Sequence, residues 1–348
     1  MSEYTVAVVG VGAVGREMVR VLRDRQFPVR ELRLLARSAR EITLDGERFA
    51  VQATVPEAFD GVDIALFAGT EGEKGAAVTF AEAAIQRGAV VIDNGSDFRL
   101  DPRVPLVVPE VNGDQIARHQ GIIAVPNCST TQMVHALKPI HDLARVRRVI
   151  VSTYQAISGA GSAAVTELEA QLRAVVAGEP LPPFDAIPAQ LAMNVLPACW
   201  RFREDGFQDE EWKMLAETRK ILGDDEIAVT ATTVRVPVLR GHGESIYLET
   251  ERPISVAEAR AALARFPGIR LVDDPLPSER DPHRRSAPTL LDVAGRYETF
   301  VGRLRQDPHV PNGLCLWVAA DNLLKGAALN AVQIAEELVR LQLVRRAA

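Results

Sequence analysis

The 348-residue sequence has few cysteines, no run of basic residues and no long apolar stretch. Three cysteines, Cys128, Cys199 and Cys315, are too few and too scattered for a disulfide framework, so a reducing cytoplasm is the expected location. The net charge of −6 argues against a nucleic-acid-binding protein, and the lack of a Lys/Arg run argues against a membrane-surface patch. Since MSEYTVAVVG contains no basic region before its apolar residues, we expect neither a signal peptide nor a transmembrane helix.

The first third of the chain alternates short Val/Ile-rich runs with helical patterns. The runs that predict strands are TVAVVG (5–10), ELRLLA (31–36), VDIALFAG (62–69), AVVIDNG (89–95), LVVPEV (106–111) and GIIAVPN (121–127). They are apolar on successive residues, which is typical of parallel strands covered on both faces. Helices are predicted after the first strand and over residues 73–88. The pattern predicts a doubly wound α/β domain.

The sequence pattern changes from about residue 146. Runs rich in β-branched residues, among them VRRVIVSTYQAIS and EIAVTATTVRVPVLRG, are interrupted by predicted helices at 162–177 and 209–222. They indicate an α+β domain with a mixed or antiparallel sheet. A long loop is predicted over 273–290, and a long amphipathic helix near the C-terminus is expected to pack on the first domain. The expected division is a cofactor domain of residues 1–130, completed by helix 322–348, and a catalytic and dimerisation domain of residues 131–321.

Gly10, Gly12 and Gly15 form a G-x-G-x-x-G motif between the first predicted strand and the helix that follows it. In this position, glycines let a pyrophosphate approach the backbone amides at the start of a helix. The alternative is a tight β–α turn that binds no ligand. The strand context favours a Rossmann-like nucleotide site.

The second predicted strand ends in LLARSAR, without the Asp or Glu that would hold the ribose diol of NAD. Arg37, Ser38 and Arg40 suit a 2′-phosphate instead, with Glu41 as the only acid nearby. NADP is therefore the expected cofactor. Solvated surface arginines are the alternative interpretation.

Cys128 stands in VPNCSTTQM, after a predicted strand and before a helix that Pro139 is expected to kink or end. At such a helix N-terminus the dipole and the free amides favour a thiolate, and open α/β sheets bind ligands at this edge. Asn127 is expected either to cap the helix or to donate to a developing oxyanion. Cys199 and Cys315, in apolar surroundings, are interpreted as structural cysteines. Cys128 is interpreted as a nucleophile.

A nucleophilic thiol needs a base. His135 lies seven residues along the same helix, about 10 Å of rise away, which is too far for direct contact. His242, in LRGHGES, is predicted to follow a strand in a glycine-flanked loop that lets the imidazole reach into a cleft. A solvated loop histidine is the alternative. Arg235, seven residues earlier on the preceding predicted strand, favours the catalytic interpretation.

Other side chains are suited to binding anions and ammonium groups. Arg99 follows a predicted strand, where a guanidinium can hold a phosphate or carboxylate with two parallel hydrogen bonds. Glu210 and Lys213 are three residues apart on one helical face, and a salt-bridged surface helix is the alternative. Gln155 ends a predicted strand before the turn 158–161, which is either a second cofactor contact or a flexible connection.

These residues resemble those of the aspartate-β-semialdehyde dehydrogenase family, and the resemblance spans nearly the whole chain. The shared motifs are VIDNGSDFR, VPLVVPEVN, PNCSTTQM, YQAISGAG, NVLP, EEWKM, ETRKIL, RVPVLRGHGES and DNLLKGAALNAVQIAEEL. The resemblance implies that Cys128 becomes an acyl-thioester, that His242 is the general acid/base and that Gln155 orients the substrate. It also implies that Arg235 binds the α-carboxylate and that Glu210 faces the ammonium group.

The resemblance further implies that Arg99 and Lys213 hold phosphate with help from Asn127. No metal is implied. The implied cofactor-binding residues are Gly10, Gly12, Ala13, Val14, Gly15, Arg37, Ser38, Arg40, Asn94, Ser158, Gly159 and Asn322.

The implied reaction is the reversible, NADP-dependent reductive dephosphorylation of L-4-aspartyl phosphate to L-aspartate 4-semialdehyde by a cytoplasmic homodimer. This step serves the biosynthesis of lysine and diaminopimelate, threonine, methionine and isoleucine. Two alternatives are a reductase of N-acetyl-glutamyl phosphate, whose neutral amide would not need Glu210, and a catalytically silent NADP-binding paralogue.

The sequence departs from the family pattern at three places. Val9 takes the first glycine position of the family's G-x-x-G-x-x-G loop, and AGTEG replaces the SAGG-like turn after the third strand. Gly243 replaces a frequent serine, and the expected effect is a looser His242 loop.

Overall fold

The computed structural model describes residues 3–69, 72, 75–273 and 287–344. The chain divides into two compact units, one of Met1–Pro126 with Ala327–Ala348 and one of Asn127–Gly326. In chain order the strands are β1 (Tyr4–Val9), β2 (Val29–Ala36), β3 (Arg40–Leu44), β4 (Glu47–Ala53), β5 (Ile64–Phe67), β6 (Val90–Asp93), β7 (Ile122–Ala124), β8 (Val146–Gln155), β9 (Ala228–Thr232), β10 (His242–Thr250), β11 (Ile269–Leu271), β12 (Thr299–Gln306) and β13 (Gly313–Ala320). The α-helices are α1 (Ala13–Asp24), α2 (Ala76–Gln86), α3 (Pro109–Asn112), α4 (Cys128–Ala144), α5 (Ser162–Ala177), α6 (Asp209–Leu222), α7 (Val256–Arg265), α8 (Leu290–Val293) and α9 (Leu329–Arg340).

The first unit contains a sheet of seven strands in the order β3-β4-β2-β1-β5-β6-β7. Its neighbouring strands are parallel except for the β3–β4 hairpin. Every residue of β1, β5 and β6 is buried, as expected for strands covered on both faces. Helix α9 packs against α1 in this unit. The prediction of a doubly wound α/β domain is confirmed.

Two details of the first unit differ from the sequence prediction. Residues 106–111 do not form a strand, because Leu106 makes only an isolated bridge with Ala124 and Pro109 begins α3. Proline suits the first position of a helix and cannot donate to a sheet ladder. The β3–β4 hairpin was not predicted, although its turn contains the Asp45–Gly46 pair, which favours φ above zero at both residues.

The second unit contains a sheet of six strands in the order β11-β12-β13-β10-β8-β9. The outer pairs β11/β12 and β8/β9 are parallel and the inner pairs are antiparallel, so the sheet is mixed. Helix α4 packs on β8, β10, β12 and β13, and on α6 and α7. Buried Met133, Leu137, Ile246 and Val318 belong to the core of this unit. The α+β prediction is confirmed, and α5 and α6 have the predicted bounds.

Three predictions about the second unit are wrong. Strand β9 ends at Thr232, so Arg235 does not lie on it, and His242 begins β10 rather than lying in a loop. Gly243 does not loosen a loop, because a Cβ there would lie 2.5 Å from Cζ2 of Trp317 in tight sheet packing. Of the two effects expected of Pro139, a kink or an end of the helix, the second does not occur, because α4 continues to Ala144.

The C-terminal helix is shorter than predicted: a π-helical turn at Leu324–Ala328 precedes α9, which ends at Arg340. Residues 345–348 of that prediction lie outside the described residues, as do 274–286 of the predicted loop. None of the helices that the structure describes is long and apolar enough to span a membrane.

Candidate active site

The second unit places several of the candidate site residues around the first turn of α4, which begins at Cys128. Asn127 caps this helix, and its Oδ1 accepts hydrogen bonds from the backbone N–H groups of Ser129 at 2.9 Å and Thr130 at 3.2 Å. This is the first of the two roles predicted for Asn127. The cap holds the half-buried Cys128 where the amides at the helix start favour a negative charge.

Gly326 lies against Cys128 within the same unit. A Cβ on Gly326 would lie 2.8 Å from Cβ of Cys128, so no side chain fits there. Gly326 belongs to the π-helical turn before α9. The sequence did not predict this contact, because nothing in GAAL (326–329) indicates that the glycine packs against Cys128.

Helix α6 presents two buried carboxylates to Asn127. Oε1 of Glu210 accepts from Nδ2 of Asn127 at 2.8 Å and from Nε2 of Gln155 at 3.1 Å. Oε2 of Glu217, which the sequence did not single out, accepts from the backbone N–H of Asn127 at 2.7 Å. Oε2 of Glu210 lies 3.6 Å from Nζ of Lys213, so the two side chains form an ion pair. Glu210 is nevertheless buried, with only 5% of its surface exposed. A salt-bridged surface helix is therefore the wrong interpretation for Glu210.

Gln155, Arg235 and His242 meet at one end of the second sheet. Gln155 is the last residue of β8 and lies opposite His242, the first residue of β10, in the antiparallel register. Arg235 forms an isolated bridge with Gln155. Nε2 of Gln155 also donates to Oγ of Ser129 at 2.9 Å, which links this sheet end to the first turn of α4.

His242 is buried, and its two ring nitrogens have different surroundings. Nδ1 accepts a hydrogen bond from the backbone N–H of Ala156 at 3.0 Å, so the neutral ring carries its proton on Nε2. Nε2 has no hydrogen-bond partner among the residues that the structure describes. Burial and, next, the positive charge of Arg235 lower the pKa of His242 to about 3. The imidazole is therefore neutral at physiological pH and presents an Nε2–H donor.

Arg235 is buried beside these groups. Its Nη1 donates to the carbonyl of Ala156 at 2.7 Å, and its guanidinium lies 4.7 Å from the ring centre of Trp200. Burial lowers the pKa of Arg235, opposed by the negative charges of Glu210 and of a Cys128 thiolate. A guanidinium in this position can receive a carboxylate.

The predicted cofactor residues of the second unit border the same groups. A Cβ on Gly159 would lie 3.2 Å from Nη1 of Arg235 and 3.4 Å from Nε2 of His242. Oδ1 of Asn322 accepts from the N–H of Gly241 at 2.9 Å, and its Nδ2 donates to Oγ of Ser158 at 2.9 Å. Asn322 therefore ties Ser158 to the residue before His242.

In the first unit, packing alone explains two of the three glycines of the motif. Gly10 has a φ of +97°, and a Cβ there would lie 2.7 Å from the carbonyl oxygen of Ala68. A Cβ on Gly15 would lie 1.8 Å from the carbonyl oxygen of Gly10. Gly12, the N-cap of α1 before Ala13 and Val14, has a φ of −75°, and none of the described residues lies within 4 Å of a Cβ placed there. Packing therefore does not require the glycine at position 12, and the open space is compatible with a pyrophosphate at a helix start.

Arg37 and Ser38 are exposed just after β2, and Arg40, which begins β3, donates from Nη1 to the Ser38 carbonyl at 3.3 Å. Asn94 follows β6, and its buried Oδ1 has no hydrogen-bond partner within the described part of the chain. An unpaired buried acceptor fits a donor group on a bound ligand.

Arg99 is buried in the first unit. Its Nε donates to the carbonyl of Val125 at 2.9 Å and its Nη2 to that of Asn94 at 3.0 Å. The guanidinium is thus fixed by backbone carbonyls. Across residues 3–69, 72, 75–273 and 287–344, no group of three or more His, Cys, Asp and Glu side chains is arranged to hold a metal ion.

Two family models match the chain in succession. The model described as "Semialdehyde dehydrogenase, NAD binding domain" matches residues 5–119, and "Semialdehyde dehydrogenase, dimerisation domain" matches residues 137–325. The aspartate-semialdehyde dehydrogenase of Aquifex aeolicus is 50% identical, over 98% of this chain and 99% of the relative. That of Bacillus subtilis is 46% identical, over 97% and 98%.

Solved structures agree with these matches. The crystal structure of aspartate semialdehyde dehydrogenase II from Vibrio cholerae, complexed with ASA, superimposes with a TM-score of 0.89. It is 42% identical, and the alignment covers 98% of this chain and 99% of that one.

Proposed function

This chain belongs to the aspartate-semialdehyde dehydrogenase family, an oxidoreductase family, and we propose that it interconverts L-4-aspartyl phosphate and L-aspartate 4-semialdehyde with NADP through a thioester on Cys128. The observation that carries the proposal is the meeting of Gln155, Arg235 and His242 at the sheet end that Ser129 links to the start of α4. Together with Cys128 at the start of α4, Arg235 and His242 would supply a nucleophile, an anion site and a hydrogen-bond donor for one reaction.

Cys128 attacks as a thiolate. Its sulfur adds to the aldehyde carbon and the carbonyl oxygen becomes an alkoxide, so no proton has to be removed before the oxidation. The Nε2–H of His242 is positioned to donate to this oxygen, because Nδ1 is occupied by the Ala156 N–H. The tautomer supports His242 as a hydrogen-bond donor to the developing oxyanion. The general acid/base role that the resemblance implies would require the imidazolium to donate a proton, or the other tautomer to accept one at Nε2.

The second half of the reaction moves the acyl group from sulfur to phosphate. A phosphate oxygen attacks the thioester carbon, and Cys128 leaves as the thiolate. Lys213 and Asn127 are proposed to hold this phosphate, because the half-exposed ammonium group of Lys213 lies on the same face of α6 as Glu210, which bonds Asn127. Arg99, in the first unit, is proposed as a further phosphate contact on the family resemblance.

The polar ends of the substrate are proposed to bind Arg235 and Glu210. The buried guanidinium receives the α-carboxylate, and the buried carboxylate faces the ammonium group. Gln155 bonds Glu210 and Ser129, so its amide is fixed between the ammonium site and the first turn of α4.

The first unit matches a nicotinamide-nucleotide-binding domain, and we propose NADP as the dinucleotide. Arg37 is exposed just after β2 and Arg40 at the start of β3, in the segment where an acid would repel a 2′-phosphate. Gly12 and the unpaired Oδ1 of Asn94 fit a bound dinucleotide. When bound, the nicotinamide accepts or supplies the hydride.

We further propose that the protein works as a cytoplasmic homodimer in the synthesis of lysine and diaminopimelate, threonine, methionine and isoleucine. The match of residues 137–325 to a dimerisation domain supports the dimer. Ile150 and Tyr154 are exposed on β8 and offer an apolar surface of the second sheet.

A spectrophotometric assay tests the proposal. We expect NADP reduction by L-aspartate 4-semialdehyde that requires inorganic phosphate, and much weaker reduction with NAD. N-acetyl-glutamate semialdehyde should be a poor substrate. Preference for that compound would favour the N-acetyl-glutamyl phosphate reaction, and inactivity with both would favour a silent NADP-binding protein. Equal kcat/KM for NAD and NADP would overturn the cofactor assignment alone.

A further inference from the structure

We infer that Trp200 is a positioning residue for Arg235 and thereby sets the affinity for the carboxylate of the substrate. This inference rests on the proposed role of Arg235. Cζ of Arg235 lies 4.7 Å from the ring centre of Trp200, within cation–π range. The indole covers one face of the guanidinium, while the carbonyl of Ala156 takes an N–H in its plane at 2.7 Å. The guanidinium therefore has a fixed orientation, in which its other N–H groups can donate to a carboxylate.

The backbone of Arg235 is fixed as well. Its N–H donates to the carbonyl of Leu196 at 2.9 Å, and its carbonyl accepts from the N–H of Leu196 at 2.9 Å. Leu196 lies four residues before Trp200. The segment that carries the indole is thus paired directly with the residue that the indole covers.

The carboxylate of Glu211 on α6 provides a second link between the segments that carry Trp200 and Arg235. The backbone N–H of Trp200 donates to Oε1 of Gln208 at 3.0 Å, and the N–H of Gln208 donates to Oε2 of Glu211 at 2.8 Å. Oε1 of Glu211 accepts from the N–H of Thr233 at 3.0 Å, two residues before Arg235. Gln208 and Glu211 also form the capping box of α6. The hydrogen bonds that connect the backbone at Trp200 with the backbone near Arg235 therefore belong to the N-terminus of this helix.

The chain contains a matched pair for comparison. Cζ of Arg203 lies 4.5 Å from the ring centre of Trp212, but Trp212 is 38% exposed and Arg203 pairs with Asp205. The geometry of the two cation–π pairs is similar. Only the pair of Trp200 and Arg235 holds a buried cation at the proposed substrate site.

The experiment compares Trp200→Leu, Trp200→Phe and the control Trp212→Leu. We expect KM for L-aspartate 4-semialdehyde to rise about 2- to 30-fold in Trp200→Leu, the range that a cation–π contact supplies, and to rise less in Trp200→Phe. The value of kcat, KM for NADP and the rate of Cys128 alkylation by iodoacetamide should stay within about 2-fold. Trp212→Leu should leave all of these within about 2-fold.

An unchanged KM for the substrate in Trp200→Leu would overturn the inference. A variant in which kcat falls, both KM values rise and Cys128 alkylation slows by similar factors would also overturn it, because such general damage indicates a structural role. Wild-type protein that does not oxidise L-aspartate 4-semialdehyde would count against the proposed function instead. In that case the inference is judged by fluorescence. L-aspartate should change the tryptophan emission of wild-type protein and of Trp212→Leu but not that of Trp200→Leu. Equal responses in all three would reject the role of Trp200.

Discussion

Nδ1 of His242 accepts a hydrogen bond from the backbone N–H of Ala156 at 3.0 Å, and this contact fixes the tautomer of the buried imidazole. Because the pKa of His242 is lowered to about 3, the ring gains a second proton only far below physiological pH. We predict that long-range ¹H–¹⁵N spectra show a neutral His242 with its proton on Nε2 from pH 5 to pH 9. A midpoint between pH 5 and pH 8 would contradict the assignment.

The same tautomer predicts the effect of His242→Asn. Loss of the Nε2–H donor should lower kcat by roughly 10²- to 10³-fold, the range for removing one donor to a developing oxyanion. The factor should be constant from pH 5 to pH 9, because the wild-type imidazole does not titrate there. A loss that grows or shrinks with pH would indicate that His242 exchanges protons as a free base.

Glu210→Gln tests the ammonium site. The substitution keeps the shape and removes the charge, so we expect KM for L-aspartate 4-semialdehyde to rise about 10- to 100-fold, as for losing a hydrogen bond to a charged group. Asp209→Asn is the matched control, since Asp209 pairs with exposed Arg201 on the surface. Glu211 is unsuitable as a control because it closes the capping box. Equal effects of Glu210→Gln and Asp209→Asn would remove Glu210 from the site.

Gly12→Ala tests the nucleotide site. A Cβ at position 12 meets no atom of the described residues within 4 Å, so the fold should tolerate alanine with little change in melting temperature. We expect KM for NADP to rise at least about 10-fold, because the methyl group would separate a pyrophosphate from the helix amides. Gly113→Ala is the control, since Gly113 also has a negative φ and a Cβ there would meet no neighbour within 4 Å in the part of the chain that the structure describes. Unchanged cofactor binding in Gly12→Ala would support a turn without a ligand.

Local signals in the sequence predicted much of this architecture. The apolar runs around β1, β5 and β6 and the Asn127 cap at Cys128 depend on neighbouring residues, so they are visible in one sequence. His242 was misplaced because glycines on both sides are typical of a loop, and the packing of Trp317 on Gly243 cannot be read locally.

The supporting groups of the site could not be predicted for the same reason. Glu217 reaches Asn127 across 90 residues of sequence, and Ala156 reaches His242 across 86. Such pairs form only when α6 packs on α4 and β10 pairs with β8. A chemical motif identifies the reacting groups, whereas their orientation depends on the tertiary packing.

Glu244 predicts an unusual pH dependence of stability. It is buried on β10, and burial raises its pKa well above the ordinary value, opposed by the nearby amide of Gln132. The folded protein therefore keeps a proton that the unfolded chain loses above about pH 4.3. The free energy of unfolding should fall as pH rises from there towards the folded pKa.

Glu244→Gln removes this proton dependence and keeps the size of the side chain. The free energy of unfolding is measured by urea unfolding at pH 4 and pH 8 for the variant and for wild type. We expect the difference, variant minus wild type, to be larger at pH 8 than at pH 4. Glu82→Gln, at an exposed position on α2, should show no such difference. A wild-type-like pH dependence in Glu244→Gln would mean that Glu244 is already ionised in the folded protein.

Cys128 is expected to be the reactive thiol. It begins α4, and Arg235 supplies a positive charge that acts on its thiolate, whereas burial raises the pKa of Cys199. Brief treatment with iodoacetamide at pH 7, followed by peptide mapping, should find the label mainly on Cys128, with activity lost in proportion. The labelling rate should reach half of its maximum below about pH 8.5, the value for a free thiol.

Arg235→Gln and His242→Asn test which neighbouring side chain makes the thiol of Cys128 reactive. Arg235→Gln should move the midpoint of labelling to higher pH, because it removes the nearby cation, whereas His242→Asn should move it less, since the wild-type imidazole is neutral. NADP together with a substrate analogue should slow both labelling and inactivation. Activity that survives complete alkylation of Cys128, or an active Cys128→Ala protein, would rule out covalent catalysis by this residue despite its place at the start of α4.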